Sequence, residues 1–205
     1  MISITSLIGT RSVSQDISVQ IFQIYYTLLT HISLIFRDYQ GAIPYIRKFE
    51  IEKKKFENYF TPSFRLCMQS NFACIYFGAG QYRQALVWCN DAMSHPPKTR
   101  DDVMYVVRVL NLLIHFELGN MIILPSLIRS TQSYLTKIGH SNKFVSILFK
   151  YIRLLVRSES KREQSVIFSE FSGALRPILN NKFDNDILDD IDLLGLIRMK
   201  VSDAK

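Results

Sequence analysis

The stretch from Leu66 to Thr99, LCMQSNFACIYFGAGQYRQALVWCNDAMSHPPKT, constrains the fold more than any other part of the chain. Phe72, Ala73, Tyr76 and Phe77 recur at three- and four-residue spacings, the period of one helical face. Gly80 follows where such a helix should stop, because glycine accepts the left-handed conformation that ends helices. Tyr82, Ala85, Leu86, Cys89 and Met93 resume the period, and His95-Pro96-Pro97 ends it, since proline cannot continue the backbone ladder. The pattern predicts two helices brought close by the small Ala73 and Ala85. A single hairpin cannot bury its own faces, so it needs neighbours of the same kind.

These landmarks resemble a tetratricopeptide repeat. The match runs Phe72-Ala73-x2-Tyr76, then Gly80-x-Tyr82-x2-Ala85-x3-Cys89, then Ala92 and Pro97. Gln69 stands where that family has Trp, and Cys89 where it has an aromatic residue. Echoes lie on both sides. Tyr39 and Ala42 keep the spacing of Tyr82 and Ala85, while Leu112, His115 and Gly119 reproduce that of Ala73, Tyr76 and Gly80. The steps are 43 residues from Tyr39 to Tyr82 and 39 from Gly80 to Gly119. Both exceed the family's period of about 34, which calls for longer connections or longer second helices.

The resemblance implies an all-α superhelix of antiparallel helix pairs, about nine helices in all, over residues 16–200 as one repeat domain. It also implies that the first helix of each pair lines a concave face, here through Thr27, His31, Ser70, Cys74, Phe77, Val109 and Leu113. That lining is mostly apolar and small. It lacks the Lys/Asn pattern with which some family members clamp C-terminal carboxylates, so an apolar peptide or a partner helix is the expected cargo.

Composition agrees with helices. The chain has 205 residues, 48% of them hydrophobic, yet only 8 Gly and 6 Pro, most of them at the ends of periodic segments. Residues 1–15 are rich in Ser and Thr and are expected to be a flexible lead-in. Ile17 to Phe36 carries no Asp, Glu, Lys or Arg and is long enough to span a membrane. Gln20, Gln23, Thr27 and Thr30 nonetheless form a polar stripe beside His31, which predicts an amphipathic helix buried in the array and no membrane span. Further helices are expected from Val103 to Leu118, Met121 to Ile138, Lys143 to Arg157 and Lys161 to about residue 180. Arg100-Asp101-Asp102 is expected to cap the first of these, and Pro44 and Pro125 to delay or bend the helices they enter. A capping helix is expected near 184–200, with Asp184, Asp186, Asp189 and Asp190 at its positive end. No such closing pattern marks the N-terminal end, so the chain is open to being the C-terminal part of a longer protein.

No catalytic motif stands out. The chain lacks a P-loop, GxGxxG and GxSxG, and no enzyme activity or cofactor is expected. Cys67, Cys74 and Cys89 sit on paired helices, but without a CxxC or HxxxH element they read as small core residues and not as metal ligands. Three cysteines without close pairing, and no recognisable secretory signal, make the cytoplasm the expected compartment. The net charge of +7 favours acidic partners. Lys143, Lys150, Arg153 and Arg157, spaced seven, three and four, form a basic stripe opposite Phe144, Ile147, Leu148, Tyr151 and Leu155. Two functions follow. The first is a protein-interaction scaffold, and the second is a nucleic-acid-binding or regulatory protein using the stripe.

Overall fold

A computed structural model describes residues 14–96, 98–140, 143–178 and 191–202. These form nine α-helices and no strand: α1 (Gln15–Ile35), α2 (Tyr39–Glu52), α3 (Pro62–Gly78), α4 (Tyr82–Met93), α5 (Asp101–Glu117), α6 (Leu124–Lys137), α7 (Lys143–Arg157), α8 (Lys161–Leu175) and α9 (Leu193–Ser202). Short 3-10 turns, Lys53–Lys55 and Glu57–Tyr59, join α2 to α3, and a third, Arg176–Ile178, follows α8. The expected lead-in up to residue 13 and the aspartates at 184, 186, 189 and 190 lie outside the described residues.

Local chemistry starts several of these helices. Asp38 accepts from the Gly41 N–H at 3.1 Å, Thr61 from Phe64 at 3.1 Å and Ser160 from Glu163 at 3.2 Å, each satisfying a donor with no partner inside the helix. With Asp38 as its cap, α2 begins at Tyr39 and runs through Pro44 without a delayed start. Pro125 instead sits in the first turn of α6, where its missing N–H costs nothing. Asp101 and Asp102 lie inside the first turn of α5, and Arg100, at the cap position, makes no side-chain cap bond. The expected cap is therefore replaced by two carboxylates near the positive helix end.

Four helices stop in the same way. After α3, the Gly80 N–H bonds the Phe77 carbonyl and the Gln81 N–H bonds the Tyr76 carbonyl, both at 2.9 Å. The same pair of bonds closes α1 at Arg37 and Asp38, α5 at Gly119 and Asn120, and α6 at Gly139 and His140. This is the turn that a left-handed residue makes after a helix. Gly80, Gly119 and Gly139 have φ of 73, 72 and 77°, and Arg37, without a glycine's freedom, has φ 56°. Two of these turns fall at Gly80 and Gly119, and the turn after α6 closes in the same way at Gly139.

Packing then follows the apolar faces. α1, α3 and α5 touch in succession, and α2 and α4 pack beside them. Phe22 of α1 anchors the first part of the core, with its ring 4.7 Å from Tyr26, 5.4 Å from Phe49, 5.0 Å from Phe56 and 5.6 Å from Phe60. Phe72 carries that aromatic chain onward to Trp88 at 4.9 Å. The central hairpin buries Phe72, Ala73, Ala85 and Cys89 completely. Farther along, α7 packs on α8 and α8 on α9.

The last helix also reaches back across the fold. At its start the Asp192 carboxylate lies 3.1 Å from Arg37 in the turn after α1. Near its end Lys200 Nζ lies 2.6 Å from Glu117 at the end of α5. α9 thus ties the first of the repeated turns to the third.

Candidate functional site

The seven residues expected to line a concave face divide sharply. Ser70, Cys74, Phe77, Val109 and Leu113 are all buried in the interior of α3 and α5. Thr27 is half-buried, its hydroxyl directed to the Met68 sulfur at 4.0 Å, and His31 alone is exposed. Their burial follows from their neighbours. Stacking α1, α3 and α5 side by side turns these faces inward.

What α1 offers to solvent is different from the expected polar stripe. Thr30 is buried, donating to the Tyr26 carbonyl at 2.9 Å and accepting from Asn71 Nδ2 at 3.0 Å. Ile17, Ile21, Ile24, Leu28, Ile32 and Ile35 instead stand exposed, with Leu28 at 56% and Ile24 at 60%. Their spacing of four, three, four, four and three places them along one side of the helix. Ile17, Ile21, Ile24, Leu28 and Ile35 fit the alternating three-four rhythm of a coiled-coil seam, with His31 filling the remaining step. An apolar strip of this kind on a surface is a candidate interaction site. Sequence reasoning gave the helix a single apolar face. The missed signal was that its apolar residues outnumber the positions one face can hold.

A pocket of about 480 Å³ opens between the end of α4, the following loop, and α5 with α6. Met93, Met104 and Ile138 supply its apolar lining, and His95, Lys98, Arg100, Arg108 and Lys137 its basic side chains. The Tyr134 hydroxyl donates to Asp101 at 2.7 Å while the Arg108 guanidinium stacks 4.1 Å over the Tyr134 ring. Burial, with the Asp101 carboxylate adding, pushes the Tyr134 pKa up to about 12, so this phenol stays protonated. Burial pushes the His95 imidazole below its ordinary value, and Arg65 adds to the shift. Such a pocket can hold an organic anion. It presents no nucleophile next to a general base.

The basic stripe lies on the solvent side of α7. Lys143, Lys150, Arg153 and Arg157 are exposed, while Phe144, Leu148, Tyr151 and Leu155 are buried. Arg129 of α6 joins the last two around a smaller cleft of about 250 Å³. That residue was invisible to a reading along one helix, because the cleft forms only when α6 and α7 meet.

Cys74 and Cys89 are buried packing residues, whereas Cys67 is half-buried and accepts from Arg100 at 3.6 Å. All three are free thiols, and Cys89, fully buried, donates toward the Val107 carbonyl at 3.3 Å. Burial pushes its pKa up to about 12, against a smaller opposite pull from Asn111. Among the described residues, no three His, Cys, Asp or Glu side chains gather as a metal site, and no helix is long and apolar enough to cross a membrane.

No protein-family model, curated protein or solved structure matches the chain.

Proposed function

We propose that this chain is a non-catalytic scaffold, a divergent tetratricopeptide-like array of helix pairs that binds an amphipathic helix of a second protein. The array reading is supported by the repeated turn after α1, α3 and α5 and by the succession of contacts among those three helices. The binding reading rests on one observation, the exposed apolar seam of α1. Its heptad-like spacing suits knobs-into-holes packing with another helix. Charge argues for a protein partner here. Asp16 is the only Asp, Glu, Lys or Arg within α1, and Arg37 just beyond it is paired with Asp192, so the strip offers little to hold an anionic surface. The partner therefore docks on the outer side of α1, where the exposed His31 also lies, while Ser70, Cys74, Phe77, Val109 and Leu113 serve as core.

Site-specific photocrosslinking in the native host tests this. A photoreactive residue at Ile24 should give a defined adduct with one other protein, and the same group at exposed Gln84 of α4 should not. Adding Leu28→Asp should abolish the adduct while leaving the helical circular dichroism unchanged, because the side chain is already in water. An adduct of twice the 23.8 kDa monomer would replace the scaffold with self-association. No adduct at Ile24 above the Gln84 control would overturn the proposal.

A further inference from the structure

The positive charge of this chain is concentrated in one place. Between Leu118 and Ser158 there are six Lys and Arg residues and not one Asp or Glu. Removing those six from the 25 in the whole chain leaves 19 against 18 acidic residues, so the rest is almost neutral. Within that segment the helix pair α6–α7 brings Arg129, Arg153 and Arg157 to one cleft of about 250 Å³, with Pro125, Ile128 and Val156 as its apolar wall. None of the three arginines forms an ion pair among the described residues. Arg153 donates to the neutral Gln132 side chain at 2.7 Å. Along the chain the nearest carboxylates to Arg153 and Arg157 are Glu159 and Glu163, the latter accepting from the Glu159 N–H at 2.8 Å, and the nearest to Arg129 is Glu117, which pairs with Lys200.

Three neighbouring guanidiniums without a counter-charge repel one another, and each presents a fork matched to phosphate oxygens. An anion in the cleft relieves that repulsion. The surroundings choose which phosphate. Bases of a single-stranded nucleic acid need exposed rings to stack on, but Phe149 and Tyr151 of α7 are buried. What is exposed beside the arginines is aliphatic. Ile122 is 96% exposed, and it precedes Pro125 of the cleft by three residues, hence lies within about 11 Å of it by chain reach. Leu154 is also exposed, next to Arg153. A basic cleft with a protruding aliphatic residue within chain reach is the combination that a lipid–water interface rewards.

We propose that the α6–α7 face docks on an anionic membrane surface, with lipid phosphates in the Arg129–Arg153–Arg157 cleft and Ile122 entering the headgroup layer. This docking is peripheral and independent of the α1 seam. It would give the scaffold a place of work without a spanning helix.

Vesicle sedimentation with the full chain tests it. The protein should pellet with phosphatidylcholine vesicles containing phosphatidylserine and stay in solution with phosphatidylcholine alone, with binding that falls as salt rises. The double variant Arg153→Glu, Arg157→Glu should lose at least about tenfold in partitioning, since each cation near such a surface contributes about fivefold. Ile122→Ser should lose several-fold while keeping the salt dependence. All three positions are in solvent, so unchanged circular dichroism should accompany these losses. Sedimentation indifferent to phosphatidylserine, or surviving the double reversal, would refute the proposal. Displacement by soluble glycerophosphoserine at headgroup-equivalent concentration would also refute it, making the cleft a site for a free phosphate. A single-stranded oligonucleotide that strips the protein from vesicles through the same arginines would assign the cleft to nucleic acid. Because no α1 residue takes part, failure here leaves the scaffold reading standing, and the converse holds.

Discussion

At the scale of single residues, burial governs the protonation of two histidines more than neighbouring charge does. His95 and His115 both lie partly buried, and desolvation lowers each pKa from its ordinary 6.5. The unfolded chain then binds protons at a pH where the folded one still resists them. Their contribution to stability is therefore complete above 6.5 and is lost as pH falls through the lowered folded values. Thermal denaturation followed between about pH 7.5 and pH 5 should show a falling midpoint, with a shallower slope in His95→Gln. A midpoint that is flat across that range, or equally steep in the variant, would contradict this account. Single residues also show why some positions were legible in advance and others not. Gly80 and Gly119 announce their turns because glycine adopts a positive φ freely. Arg37 makes the same turn at φ 56° without any such signal, and only its spacing to Tyr39 hinted at it.

At the scale of elements, α1 shows how a single helix can carry two apolar faces with different duties. Its inner face places Phe22 against four aromatic rings and is 1% exposed there. Its outer face leaves Ile24 at 60%. The two positions are only two residues apart, so helix propensity cannot explain different outcomes. Phe22→Ala should cost about 3–5 kcal/mol, the usual penalty for a cavity at a large buried ring. Ile24→Ser should change stability by less than about 0.5 kcal/mol, as surface substitutions do. Urea titrations of the two variants give both numbers. Comparable losses would mean that the outer face is buried in the free protein. The helix boundaries were largely legible, because periodicity and glycine stops are local. Which face of α1 points inward was not, since that depends on the aromatic rings that α2 and α3 bring to it.

At the scale of the whole molecule, α9 links the end of α1 to the end of α5. The link at Glu117 is the tighter one, since its side chain is only 4% exposed and Lys200 is the cation that meets it, 83 residues further along. Among the described residues the other carboxylate oxygen of Glu117 has no hydrogen-bond partner, and Lys200 is the cation that offsets its charge. Beside it Tyr82 is held up to about 12, mainly by burial and then by this same carboxylate. A buried charge without its partner costs several kcal/mol, because the water it lost is not replaced. Lys200→Met should therefore lower the unfolding free energy by about 3 kcal/mol, somewhat below the range for fully buried pairs because the lysine is partly in solvent. Glu117→Gln in the Lys200→Met background should recover about half of that, as removing the orphaned charge removes its penalty. A denaturant-based double-mutant cycle measures both values. If Lys200→Met is neutral, α9 does not clasp α5 in solution. No local pattern in the sequence could have paired these residues, because the pairing depends on where the chain arrives after α8. The clasp also makes the surfaces cooperate. Loosening α9 frees Arg37 and Glu117 together, so the turns after α1 and α5 should lose hydrogen-exchange protection in step in Lys200→Met.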